Sequence, residues 1–280
     1  MIRSNSRLAR AIPTVTTVTR LAALVVVTAV ALGLAGSGTA LAGEVPETGT
    51  WRGAINPDAL QILKRMTDHL GNLQRFSMHT ENIYDDVLET GQKIQSQFSS
   101  SIVVQRPDKL RADRSDGQSR QIFVYDGETL SVHDDLNAAY ATVAAPDNLD
   151  DLLHFARDAL DLVPPAGDMV FSNAFELLTA GITSGNVIGK AVIGGVSCDH
   201  IAFTTPVVDW QVWVADGDKP LPYKYVLTTR DDPAQPQFIT SISDWDTEPE
   251  IRDGLFDFDP PPTAMEIDFV RIDLADTSAR

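Results

Sequence analysis

Cys198, Asp199 and His200 stand side by side, and a thiol near an imidazole is the first place to look for chemistry. A nucleophilic Cys needs a base within hydrogen-bond reach and an electropositive setting that favours the thiolate. The residues around this triplet alternate like a strand, so Cys198 and His200 point to one face and Asp199 to the other. Such spacing supplies neither condition. The expectation is a buried Cys and a hydrogen-bonded His. The remaining histidines, His69, His79, His133 and His154, form neither H-x-x-x-H nor H-E-x-x-H, so no zinc spacing is present. Asp244, Asp246, Glu248 and Glu250 gather carboxylates near one turn, but without the spacing or the central Gly of a calcium loop. They read as a solvated loop. No G-x-S-x-G elbow and no G-x-x-x-x-G-K-[ST] loop follows the leader described next. No catalytic residue, metal or cofactor is therefore expected, and an enzyme is disfavoured.

The N-terminus points to export. The first 43 residues hold no Asp or Glu but do hold Arg3, Arg7, Arg10 and Arg20. An apolar run from Leu21 to Ala35 follows, then Ala40-Leu41-Ala42. This is the order of a secretory signal, with cleavage expected after Ala42. The run is shorter than the ~20 residues a spanning helix prefers, so no membrane span is expected once the leader is removed. The single Cys, Cys198, lies far from the cleavage site and cannot form an internal disulfide. Periplasmic or secreted localisation is expected. The formal net charge is −17, and losing the leader removes four Arg and no acid. Such a chain is repelled by nucleic acid and by anionic membrane surfaces, so neither is an expected partner.

The elements that must position the rest are legible from periodicity. Residues 43–56 read as a flexible tether. Ala59, Ile62, Leu63, Met66 and Leu70 share one helical face, with Gly71 as a stop. The period then falls to two. Phe76, Met78 and Thr80 alternate with polar residues. Ile94, Ser96, Phe98, Ser100, Ile102 and Val104 share the face of a long strand. Short strands follow near 110–114, 120–125, 129–133 and 139–143, with Asp126-Gly127 as a hairpin turn. Leu149, Leu152, Leu153, Ala156, Leu160 and Val163 form an amphipathic helix broken by Pro164-Pro165. Phe171, Phe175 and Leu178 suggest a second short helix. Strands return at 187–193, 198–205, 208–215, 223–230 and 238–245, with a last one near 265–269. Short hairpin connections mean an antiparallel meander. The fold class is therefore α+β, mainly β: about ten strands in one large sheet that must curl, with helices over its concave face. Residues 57–270 are expected to form this one domain, and 271–280 a tail.

A curled sheet capped by helices has an apolar interior, filled either by the helices or by a ligand. The expected lining is Phe98, Ile102, Phe123, Leu130, Val132, Phe203, Trp210, Val212, Tyr225 and Trp245. Leu153, Leu160, Phe171 and Phe175 are the expected lid. Pockets for small molecules are mostly apolar with few polar groups, which suits this composition, as does a filled core. Trp210 and Trp213 face opposite sides of one strand, so one belongs inside and the other at a rim.

The stretch Val192-Ile193-Gly194-Gly195-Val196-Ser197-Cys198-Asp199-His200-Ile201-Ala202-Phe203 carries a resemblance. So do Asp209-Trp210-Gln211-Val212-Trp213, Gly217-Asp218-Lys219-Pro220-Leu221-Pro222, Arg106-Pro107-Asp108-Lys109-Leu110-Arg111 and the closing Phe-x-Phe-x-Pro-Pro. Together they resemble a family of predicted periplasmic proteins of unknown function. That family looks related to the outer-membrane lipoprotein carriers and receptors (LolA- and LolB-like). The resemblance implies an unclosed β-barrel with a helical lid over a cavity for acyl chains. It implies no catalytic residues, and no residue here is matched to the carriers' cavity arginine. The expected function is an exported binding protein for a lipid, an acyl chain or a lipidated protein. The alternative is an envelope-sensing domain of the same fold that binds a protein partner.

Overall fold

The computed structural model describes residues 53–160, 162 and 167–269. The leader, most of the tether, Val163, Pro164-Pro165 and the C-terminal tail lie outside the described residues. Helix α1 spans Pro57–Asn72. The Asn56 side chain accepts from the Asp58 N–H and Pro57 opens the first turn, so both start signals act together. Ala59, Leu63, Met66 and Leu70 are buried on the expected stripe. Gly71 does not stop the helix; it is absorbed in the last turn.

Twelve strands follow: β1 (Arg75–Val87), β2 (Lys93–Gln105), β3 (Lys109–Ser115), β4 (Arg120–Tyr125), β5 (Thr129–Asp134), β6 (Ala139–Ala144), β7 (Ser184–Ile193), β8 (Val196–Thr204), β9 (Val208–Ala215), β10 (Pro222–Thr229), β11 (Gln237–Asp246) and β12 (Met265–Glu266). Their order in the sheet is β12-β6-β5-β4-β3-β2-β1-β11-β10-β9-β8-β7. Two meanders, β1 to β6 and β7 to β11, join side by side through β1 and β11. The sheet does not close on itself, so it is an unclosed antiparallel barrel. Each of the alternating stretches named from the sequence forms a strand. The last expected strand is reduced to two residues that pair in parallel with β6. No hairpin sets the direction of β12, because the chain travels from the middle of the sheet to its edge before pairing.

This order dictates the lid. β6 lies near one edge and β7 forms the other, so the chain between them must cross the whole sheet. The crossing holds α2 (Leu149–Leu160), a 3-10 turn at Gly167–Met169 and α3 (Ala174–Thr179). α2 buries Leu149, Leu152, Leu153, Ala156 and Leu160. Phe171 does not sit on the second helix, as the sequence suggests, but in the turn before it, where it is still buried. Among the described residues no helix is long and apolar enough to cross a membrane.

The C-terminal arm takes the convex face instead. Arg111, which points outward by register, donates to the Leu255 carbonyl at 3.4 Å. The Phe258 ring packs 5.7 Å from that of Tyr140. The end of the expected tether is also held: Ile55 bridges to Gly185, and the Asn56 N–H donates to the Gly185 carbonyl at 2.8 Å.

Gly185 answers to a close approach. A Cβ there would lie 2.6 Å from the ring of Phe203. Gly185→Ala should therefore destabilise the domain by about 1–3 kcal/mol through overpacking. A urea denaturation midpoint that does not move would show that the Phe203 ring can step aside.

Candidate functional site

Register places the apolar residues of all strands on one face. Directly paired residues share a face in an antiparallel sheet, so pairings can be followed strand to strand. Phe76↔Val104, Val104↔Leu110, Leu110↔Tyr125, Tyr125↔Leu130 and Leu130↔Val143 form one concave row. Ile102, Ala112, Phe123, Val132 and Ala141 form the next row. On the other half, Phe203↔Trp210 and Ile201↔Val212↔Tyr225 continue the same face. Trp245 reaches it only because the chain bulges. Asp244 adopts φ 52°, and the register against β1 shifts, so Trp245 rather than Asp244 turns inward. Its ring packs 5.9 Å from Phe76, and its Nε1 donates to the Pro222 carbonyl at 3.0 Å.

The concave face is not uniformly covered. Leu130, Phe203, Trp210, Val212 and Tyr225 are buried in one core with the lid residues Leu153, Leu160 and Phe171. Ile102, Trp245 and Phe175 are half-buried and pack against that core. Phe98 is buried but outside it, and Phe123 and Val132 are half-buried. None of the three belongs to the core that Leu153, Leu160 and Phe171 share. Within the core, a cavity lined by Leu70, Phe76, Met78, Met169, Val170 and Trp245 among others measures about 10 Å³. That is room for one water, not for an acyl chain. In this conformation Leu153, Leu160 and Phe171 are buried together with Leu130, Phe203, Trp210, Val212 and Tyr225 in one core. Sequence could not separate the two, because core and cavity use the same alternating residues.

Several polar residues were missed. Arg106 reaches under the lid and donates from Nη2 to the Val170 carbonyl at 2.6 Å. Its Nε is buried without a partner among the described residues, and burial lowers its pKa despite nearby Asp150. Leu149 N–H donates to the Pro107 carbonyl at 2.9 Å, and Asp150 holds Ser172 through its N–H and hydroxyl. Among the described residues α2 and the turn before α3 are thus latched to the sheet region by polar bonds at Leu149 and Val170 and by packing. Asn82, Thr80 and Thr240 form a buried polar triplet on the concave face of β1 and β11, with bonds of 2.9 Å. Sequence offered one signal for it: polar residues at positions whose alternation demands apolar ones.

The Cys198-Asp199-His200 triplet divides as expected. The Cys198 thiol is fully buried, and burial raises its pKa, which disfavours the thiolate. Asp199 faces inward and pairs with Lys190 at 2.8 Å. His200 bonds to Gln211 at 2.9 Å and stacks on Trp213 at 4.0 Å, on the convex face. Trp210 is the inner tryptophan and Trp213 the rim one. Asp246 turns back to accept from the Glu248 N–H, which accounts for part of the carboxylate loop.

Burial lowers the pKa of both His69 and His200. A histidine whose folded pKa lies below its unfolded value near 6.5 adds stability above that pH. The contribution is lost as pH falls through the lower folded value. Wild-type protein should therefore lose stability on acidification below pH 6.5. His200→Gln should flatten that slope in urea titrations at successive pH values; an unchanged slope would remove His200 from the account.

Residues 59–270 match the family described as predicted periplasmic protein (DUF2092). The chain belongs to this family. No curated protein matches it. Similar solved structures include LprF from Mycobacterium bovis, at 12% identity and TM-score 0.45, covering 72% of this chain and 99% of that one. The Mycobacterium tuberculosis lipoprotein LppX is similar at 14% identity and TM-score 0.38, covering 71% and 100%. The Pseudomonas aeruginosa MucA/MucB complex is similar at 18% identity and TM-score 0.40, covering 69% and 59%.

Proposed function

We propose that this DUF2092 protein is an exported binding protein that takes up a lipid or acyl chain when its helical crossing lifts from the concave face. The observation that carries this reading is the lid's construction. A segment that belongs to no strand crosses an apolar sheet face, and among the described residues its part from α2 to α3 is tied to the sheet region by polar bonds at Val170 and Leu149. Side chains on α2 and Phe171 occupy the space an apolar ligand would take. Exchange of lid for ligand then swaps one apolar contact for another, at little net cost in buried area. The absence of catalytic spacing in the sequence fits binding rather than turnover.

The test is to export residues 43–280, purify without detergent, and record native mass spectra before and after solvent extraction. A bound mass of lipid size, lost on extraction, is the expected result. A clean apo mass that also refuses added fatty acids and phospholipids would sink the proposal. A second reading, a partner-binding domain of the envelope, draws support from the filled interior. Under it the apo protein captures a specific envelope protein without any lipid.

A further inference from the structure

Arg114 lies on the part of the concave face that the described lid leaves uncovered. It sits opposite Ser100 on β2 and Gln121 on β4, and its guanidinium carbon rests 3.9 Å from the centre of the Phe98 ring. Tyr84 packs against the same ring at 6.1 Å. In this acidic chain the neighbouring cations are engaged: Arg111 on β3 and Arg120 on β4 both hold Asp113, and Lys109 donates to the Asp126 carbonyl. Arg114 has no ion pair and no hydrogen bond among the described residues. Burial works against its charge, offset only by Tyr84 and Asp116. The carboxylates nearby are already engaged. Asp116 accepts from the Gln118 and Ser119 N–H groups, and Asp134 accepts from Gln121, Leu136 and Asn137.

A half-buried guanidinium with open donors and one aromatic wall is arranged to receive an anion from outside. What adjoins it is apolar. The neighbouring row runs Ile102, Ala112, Phe123, Val132 and Ala141 across five strands. Four interstrand steps of about 4.8 Å span roughly 19 Å, the length of a long acyl chain.

We propose that Arg114 anchors the anionic head of a single-chain amphiphile, a carboxylate or a phosphate monoester, whose tail lies along this row. The proposal rests on the lipid-binding reading above and names its ligand class. It also places the head outside the packed core, so the anchor exists before the lid moves.

The test titrates the mature exported protein with oleate, oleoyl lysophosphatidate and oleyl alcohol, following tryptophan fluorescence and checking by calorimetry. Wild type should bind at least one of the two anions about tenfold more tightly than the alcohol, as a charge-assisted contact requires. Which anion wins separates a fatty acid from a phospholipid source. Arg114→Gln should erase the preference and leave oleyl alcohol binding unchanged; Arg114→Lys should retain part of it. Circular dichroism melts check that both variants fold, and the lysine variant decides the matter if the glutamine one does not. Equal wild-type affinity for all three probes, or an anion preference that survives Arg114→Gln, would overturn the anchor and leave lipid binding standing. Failure of wild type to bind any probe would overturn both.

Discussion

Trp210→Ala should cost the domain about 3–5 kcal/mol, the usual penalty for deleting a large aromatic side chain from a core. Trp210 is 4% exposed, stacks on Phe203 at 4.4 Å, and meets Tyr225 edge-on at 6.1 Å. Three strands, β8, β9 and β10, lose their shared anchor at once. Against a typical stability of about 5–15 kcal/mol the loss is large. Urea denaturation should show a lower midpoint at unchanged slope. A shift worth under 1 kcal/mol would mean that the interior behind the lid is loose or open, and the packed-core description would have to go. An aspartate here or at Phe203 is a poor probe of ligand binding for the same reason: a buried unpaired carboxylate unfolds the site it is meant to test.

Phe171→Ala should act differently. Phe171 is 2% exposed and packs 4.8 Å from the His154 ring, but it belongs to the crossing and not to the sheet. Its removal should cost about 3 kcal/mol or more locally, since deleted Phe side chains cost ~3–5 kcal/mol where the surroundings cannot collapse. The loss should fall on the lid. Hydrogen exchange should quicken in α2 and α3 while the β1–β2 ladder keeps its protection, the pattern of a local opening unit. Uptake of an apolar dye or fatty acid should rise in the same variant, because the closed state no longer competes as well. If exchange rises uniformly through the sheet, the crossing is an integral part of the core and no lid exists. The two substitutions thus separate a wall residue from a cover residue, although both are equally buried.

Much of this was legible from single residues. The two-residue period put Phe98, Ile102, Phe123, Leu130, Val132, Phe203, Trp210, Val212 and Tyr225 on one face, and the register agrees for every one. Trp245 joins them for another reason: simple alternation from Ile242 would turn Asp244 inward and Trp245 outward. The bulge at Asp244 is a tertiary feature, since its positive φ carries no glycine signature. Likewise Phe171 looked helical from its spacing to Phe175 and Leu178, yet the helix begins only at Ala174. The spacing reported burial correctly and structure wrongly.

The polar anchors were beyond reach of pattern. Arg106 and Arg114 lie in stretches dense with charge, and composition does not distinguish them from Arg111 or Arg120. Alternation puts Arg114 on the inner face and Arg111 and Asp113 on the outer one, but only strand pairing brings Arg120 of β4 to Asp113 as well.

By itself the sequence determined the elements: which stretches alternate, where turns fall, which faces are apolar, and that a leader with the order of a secretory signal precedes them. These are set by local sterics and periodicity, which act within a few residues. Only the tertiary structure decided the strand order, and with it the edge-to-edge crossing that carries α2 and α3. Only the tertiary structure decided that Leu153, Leu160 and Phe171 join the core of Phe203 and Trp210 while Phe123 and Val132 stay outside it. Those outcomes depend on contacts between residues far apart in the chain, where one apolar side chain serves as well as another until the packing chooses between them.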